Sequence, residues 1–159
     1  MHDRVLQPAQ MDRSGFYAFN DLRENTANGY LEDRSTTNIY QLPVRGGGDG
    51  GMYATTDDLR AFWDSLVSYG ILSEQLTTIY LKTHGALGTA HGYGCGIVKR
   101  LDDSMFAIVG GDAAVGLDSR CYVQDRFTIN ILSNITNGNE EMKEVVFRYL
   151  WTPPPSQRW

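Results

Sequence analysis

The chain has 159 residues, 42% of them hydrophobic and 21% charged. That is ordinary globular composition, with room for one domain and its core rather than two. The net charge is −5, from 14 Lys+Arg against 19 Asp+Glu, and no basic run occurs, so nucleic acid is not an expected partner.

No apolar run approaches the roughly 20 residues of a membrane-spanning helix. Met1-His2-Asp3-Arg4 opens the chain without the long apolar region of a signal peptide. Residues 1–45 predict an irregular wrap over a surface. Val5-Leu6-Gln7-Pro8 reads as the end of a helix, because proline commonly follows one. Gly15–Asn20 and Thr26–Leu31 mix aromatics with turn formers. Gly46–Gly51 is a glycine-rich bend. A phosphate-binding loop needs Gly-Lys-Ser/Thr at its end, and Met52-Tyr53-Ala54 stands there instead.

Residues 46–90 then predict two helices after this bend. Thr55 with Asp58 forms a capping-box pattern, and Asp57 and Asp58 suit the positive end of a helix. Leu59, Phe62, Trp63, Leu66 and Val67 form a core-facing stripe at helical spacing, and Gly70 ends the helix. Ser73 caps a second helix with Leu76, Ile79 and Tyr80 on one face, ended by Gly85.

From residue 91 the pattern changes to four short antiparallel strands in a meander. They are Gly92–Lys99, Met105–Gly110, Ser119–Gln124 and Phe127–Asn134, joined by Arg100–Asp103, the glycine-rich Gly110–Gly116 and a turn at Asp125-Arg126. The last strand alternates: Phe127, Ile129 and Ile131 face one way, Thr128, Asn130 and Leu132 the other. An amphipathic helix over Glu140–Leu150 follows, capped by Asn139. Its expected buried face is Met142, Val145, Val146, Tyr149 and Leu150, and Pro153-Pro154-Pro155 forbids its continuation. The fold class is therefore α+β, an antiparallel sheet flanked by helices. Cys95 and Cys121 fall on the first and third strands, roughly 9–10 Å apart. That is beyond disulfide reach, so both are expected as free thiols filling the core.

Candidate chemistry is sparse. His2, His84 and His91 lack the close ligand pairs of a zinc site, and no metal or other cofactor is expected. Lys82-Thr83-His84-Gly85 has the letters of a Lys-Thr-Gly motif, but at a helix end rather than on a strand beside a serine. Asp112 follows a strand within glycines that let a ligand approach the backbone. A turn aspartate bonding its own main chain is the competing reading. No serine has a lysine three residues later, so no complete nucleophile system is legible.

The order of signals nevertheless resembles the C-terminal part of the serine β-lactamase/penicillin-binding-protein-like family, the branch of class C β-lactamases, D-alanyl-D-alanine peptidases and related esterases. Leu6–Phe16 and Ala27-Asn28-Gly29-Tyr30 are similar to its "PLGM…T.F" and "A.GY" segments. Gly50–Leu59 with Phe62 resembles "GG(L/M)YST..DL..F", and His91–Cys95 resembles "YGYGW". Phe127–Asn134 with Glu140–Leu150 resembles the closing strand and terminal helix. Each motif is weak alone; their order over nearly the whole chain is the specific signal.

The resemblance implies a partial β-lactamase/transpeptidase-like fold, so that residues 1–159 form a single partial domain. In the family, Ser-x-x-Lys supplies nucleophile and base, Tyr-x-Asn a proton relay, and a Lys/His-x-Gly strand edges the pocket. The first two lie upstream of the segments matched here. The third falls at Gly111-Asp112-Ala113, with Gly111 for the Lys or His and Ala113 for the glycine. Asn139 matches a substrate-side asparagine of the last helix, whereas Met142 stands where an arginine is expected. The implied substrate-side residues are thus Gly111, Asp112, Ala113 and Asn139, with no catalytic residue and no metal ligand. The expected role is half of a serine hydrolase, inactive alone, with a non-catalytic binding or interaction module as the alternative. Its ligand would be a small molecule or peptide if the parent site is complete. Phe127–Asn134 would be an open edge that recruits a second copy or the missing half. An extracytoplasmic parent is also implied.

Overall fold

The computed structural model describes residues 1–151. Two helices, α1 (Thr56–Val67) and α2 (Glu74–Leu81), precede six strands and a closing helix, α3 (Gly138–Trp151). The strands are β1 (Gly85–Leu87), β2 (His91–Tyr93), β3 (Val98–Arg100), β4 (Met105–Asp112), β5 (Val115–Tyr122) and β6 (Phe127–Ser133). They form one antiparallel sheet in sequential order β1 to β6, so β1 and β6 are its edges. The fold is α+β, as expected.

The sheet has six strands rather than four. The expected strand Gly92–Lys99 is a hairpin, β2 and β3, because Gly96 takes φ +82° and the Gly94 N–H bonds the Ile97 carbonyl at 2.8 Å. That turn carries Cys95 to the surface, so only Cys121 is a buried thiol; neither forms a disulfide. The expected Gly110–Gly116 loop is also strand. β4 and β5 pair as far as Asp112↔Val115 and turn through Ala113-Ala114, with Ala114 at φ +63°. Poor β-formers hid this pairing, and β5 begins four residues before Ser119.

α1 follows its sequence signals closely. The Thr55 hydroxyl accepts from the Asp58 N–H at 3.2 Å, and Leu59, Trp63 and Leu66 are buried. Its end is a Schellman closure, with Gly70 N–H on Ser65 O at 2.7 Å and Tyr69 N–H on Leu66 O at 3.3 Å. The left-handed residue there is Tyr69, at φ +65°, not Gly70. α2 is capped by Ser73, but Leu76 and Ile79 are exposed, and Thr77, Tyr80 and Leu81 turn inward. It ends at Leu81 because Lys82 is extended (ψ 144°), three residues before Gly85.

Two apolar clusters sandwich the sheet. On the α1 side Trp63, Leu66, Ile97, Phe106 and Cys121 pack together. Trp63, wholly buried, donates Nε1–H to Ser119 Oγ at 2.8 Å, and Ser119 Oγ–H donates to Asn130 Oδ1 at 2.7 Å. On the α3 side Met105, Ala107, Tyr122, Ile129 and Ile131 meet Val146 and Phe147. α3 begins before its expected cap: Asn139 lies inside it and is buried, and Asn137 O accepts the Glu140 N–H at 3.0 Å. Met142, Val145, Tyr149 and Leu150 are exposed, contrary to expectation. The sheet instead takes Asn139, Val146 and Phe147, a stripe rotated around the helix. Pro153–Pro155 lie outside the described residues.

Residues 1–55 wrap these layers with one 3₁₀ turn at His2–Arg4 and isolated bridges. Leu6, Ala9 and Met11 are buried against Met52, Phe62 and Ile71. Asp58 anchors the wrap: its Oδ2 accepts from the Arg13 N–H at 3.0 Å and from Ser14 Oγ–H at 2.6 Å. No helix among the described residues is long and apolar enough to cross a membrane.

Candidate functional site

β4 outruns its neighbour. β3 pairs only with Phe106 and Ala107, so among the described residues no strand pairs with the β3-side edge of 108–112. This free edge borders a cleft of about 500 Å³ between the β4–β5 hairpin and the start of α3. Gly111, Asp112 and Asn139 share its lining with Gly110, Leu117 and Glu140.

Ala113 is not in the lining. Its carbonyl accepts from Asn38 Nδ2–H at 2.9 Å, which fixes the hairpin tip. The Asp112 Oδ1 accepts the Ala113 N–H at 2.7 Å, so this aspartate does bond the turn main chain while lining the cleft. Asn139 reaches the cleft because Gly116 leaves room: a Cβ at Gly116 would land on Asn139 Oδ1, with Cγ 2.5 Å away. Asn139 Nδ2–H bonds Glu140 Oε1 at 3.3 Å.

The cleft is acidic. Asp112 and Glu140 are its ionisable lining groups, and no Lys, Arg or His lines it. Lys143 pairs with Glu140 and stands 3.9 Å from Asp118 Oδ2. Beneath, the buried Asp118 receives both arms of Arg120, Nε at 2.6 Å and Nη2 at 2.9 Å. The Arg120 guanidinium lies 4.6 Å from the Phe147 ring centroid. This bidentate pair raises the Arg120 pKa although burial opposes it. Met142 is exposed on α3 and does not line the cleft.

Two features had a signal that sequence spacing did not exploit. The pairing Gly110↔Leu117 and Gly111↔Gly116 is a hairpin register, and glycines at 110, 111 and 116 are where backbone or side chains come close. Glu140 follows Asn139 directly. His84 and His91 stand outside the cleft, and His84 Nε2 is 3.1 Å from Ile79 O. Among the described residues no three His, Cys, Asp or Glu side chains form a metal-holding group. A second cleft, about 830 Å³, lies under residues 1–23 and Arg45. Both arginines of its lining are committed, with Arg23 4.9 Å from the Tyr17 ring centroid and Arg45 Nε–H on Phe16 O at 3.1 Å.

Solved structures give the architecture its context. The chain is similar to a penicillin-binding protein from Bacillus halodurans, with 32% identity and a TM-score of 0.86 over 93% of this chain and 48% of that one. It is similar to a D-stereospecific amidohydrolase from Streptomyces sp. (16%, TM-score 0.71, 96% of this chain and 48% of that one). It is also similar to an octameric penicillin-binding-protein homologue from Pyrococcus abyssi (15%, TM-score 0.75, 98% and 37%). The chain thus spans half or less of each. No protein-family model and no curated protein matches it.

Proposed function

Because this chain has the serine β-lactamase/penicillin-binding-protein-like fold over about half the length of its structural relatives, we propose that it forms one wall of an acyl-transfer groove. The nucleophile and base belong to the other half of such a fold. The carrying observation is the free main-chain edge of residues 108–112 beside the cleft. An unpaired strand edge offers N–H and C=O groups in a row, which an extended amide or peptide ligand satisfies by strand addition. Gly110 and Gly111 remove side chains that would hold such a ligand off. Gly111, Asp112 and Asn139 are the proposed ligand-side residues; Ala113 contributes by holding the turn.

By itself the chain has no Ser-x-x-Lys, and the proposal is that it neither hydrolyses nor is acylated. The test is turnover of a chromogenic cephalosporin together with mass spectrometry after incubation with a penicillin. The expected result is no turnover and no adduct, with amide shifts at Gly110, Gly111 and Asp112 on titrating an N-acyl-D-alanine dipeptide. Hydrolysis or a covalent adduct would sink the reading. A second reading, a non-catalytic binding module, is favoured by one observation: the cleft is lined by Asp112 and Glu140 and by no Lys, Arg or His, while the resemblance implies a basic residue at the position of Gly111. It predicts the same amide shifts with activity still missing when the other half is supplied.

A further inference from the structure

We infer that residues 28–38 brace the two walls of the cleft against each other, and that Asn38 is the positioning residue of that brace. The β4–β5 hairpin and the start of α3 are separate elements, yet this short segment bonds to both sides. On the hairpin side, Asn38 Nδ2–H reaches the Ala113 carbonyl at 2.9 Å. On the helix side, the Tyr30 N–H bonds Asn134 O at 2.8 Å, and Asn134 Nδ2–H bonds Asn28 O at 2.9 Å. Asn134 follows β6 directly and stands three residues before Asn137, which lines the cleft. The segment closes on itself where the Asn38 N–H bonds Gly29 O at 3.1 Å.

Asn38 suits placement better than filling. It is 2% exposed, and its Oδ1 has no partner among the described residues. A buried acceptor left unpaired is unfavourable, so an amide is a poor choice as a core filler here. What it adds is one donor, aimed at one carbonyl. Gly29 makes room for it: a Cβ there would stand 2.4 Å from Asn38 Nδ2 and 3.0 Å from the Ala114 carbonyl oxygen. The glycine of the Ala27-Asn28-Gly29-Tyr30 run thus lets the brace lie against the turn.

That turn needs holding. Ala114 sits at φ +63° without the freedom of glycine. Gly110, Gly111 and Gly116 give the paired strands beside it little side-chain packing. Among the described residues no strand pairs with the β3-side edge of 108–112, so β5 and Asn38 hold the tip. These contacts are internal to the chain and do not depend on what covers its outer surfaces. The consequence for binding rests on the reading of the cleft as a ligand groove, because an edge that takes an extended amide by strand addition has to be held in place.

The test is Asn38→Asp, which keeps the side chain's size and exchanges its donor for an acceptor. The new carboxylate faces the Ala113 carbonyl, and burial raises its pKa. Mild acid therefore protonates it and returns an O–H donor. Amide exchange of the 159-residue chain is followed by NMR at about pH 7.5 and about pH 4.5, on either side of such a raised value. Rates are corrected for intrinsic exchange and read against the wild type at each pH. Asn38→Asp should quicken exchange across Asp112–Val115 about three- to tenfold at the higher pH, the loss of one hydrogen bond. Helix α1 should keep its wild-type rates, and the lower pH should restore the tip. Gly29→Ala should quicken the same amides at both pH values. Tyr40→Ala, two residues past the brace and 91% exposed, should leave them unchanged. An N-acyl-D-alanine dipeptide should bind Asn38→Asp about three- to tenfold more weakly at the higher pH and as tightly as wild type at the lower. Wild-type exchange at Asp112–Val115 in Asn38→Asp, or a loss that acid does not reverse, would overturn the brace. Altered exchange with unaltered dipeptide affinity would overturn the positioning role. A wild-type chain that does not take up the dipeptide would refute the functional reading, and the exchange rates would still decide the brace.

Discussion

Gly116→Ala is the substitution the structure judges most sharply. The added methyl would fall on Asn139 Oδ1, 2.5 Å from Cγ and 3.2 Å from Cβ. Asn139 is buried in the first turn of α3 and cannot retreat without moving that turn off β5. Overpacking of this kind costs about 1–3 kcal/mol. Removing a glycine from a strand returns about 0.5–1 kcal/mol. The net expectation is destabilisation by about 1–2 kcal/mol, read as a fall in Tm of about 3–6 °C at this chain length. Gly110→Ala supplies the control, because a Cβ there meets nothing within 4 Å, and it should be neutral or slightly stabilising. Thermal and urea unfolding of Gly116→Ala, Asn139→Ala and the double variant complete the test. The double variant should recover about 1 kcal/mol relative to additivity. Strict additivity, or an unchanged Tm for Gly116→Ala, would refute the packing argument.

Further outcomes follow from the same coordinates. Tyr69→Gly should raise stability by about 0.5–1 kcal/mol in urea unfolding, because a non-glycine residue at φ +65° carries a left-handed penalty. Ser119→Ala should cost about 1–3 kcal/mol, since it strands the buried Trp63 Nε1–H, and should alter the emission of that tryptophan. Asp118→Ala should cost about 3 kcal/mol or more by leaving Arg120 without its carboxylate, checked by denaturant midpoint. Native titration with a thiol reagent at pH 8 should consume one thiol, the exposed Cys95, and a second only on unfolding. Burial pushes the Cys121 thiol up to about 11, above its unfolded value of about 8.5. The folded chain therefore holds the extra proton between those values, and this contribution to stability is lost as pH rises from about 8.5 to about 11. A Cys121→Ser variant should show a flatter decline of Tm over that window.

Legibility in the sequence tracked the kind of interaction each residue makes. The stripe of α1 was readable because Leu59, Trp63 and Leu66 are buried along one face, Trp63 and Leu66 in the cluster against the sheet, and Thr55 caps locally. The alternation of β6 was readable because Ile129 and Ile131 share one buried face. The β4–β5 hairpin was obscured because glycine has little strand propensity of its own, and the pairing of Gly111 with Gly116 is a non-local fact. α3 misled for a different reason. It carries two apolar stripes, and periodicity alone cannot say which one the sheet takes. Asn139 was read as a cap; it became a buried contact because Gly116 opens space opposite it. Of the implied ligand-side residues, three meet in one cleft, whereas Ala113 was separated from them by a hydrogen bond from Asn38, 75 positions away. A contact of that separation leaves no local pattern.

The cleft and the exposed apolar stripe of α3 occupy different sides of one helix, and this makes their roles separable. Asn139 and Glu140 face the cleft, and Lys143 ties Glu140 to the Asp118–Arg120 pair beneath it. Met142, Val145 and Tyr149 face outward and touch none of those groups. A change at Gly116 reaches the cleft through Asn139; a change at Val145 reaches only the exposed stripe. Amide shifts of Gly110, Gly111 and Asp112 with a dipeptide ligand should therefore change in Gly116→Ala and persist in Val145→Glu. Loss of those shifts in Val145→Glu would mean that the outer stripe of α3 supports the cleft, which would join the two surfaces into one site. Their persistence would mean that the cleft is held open without that stripe.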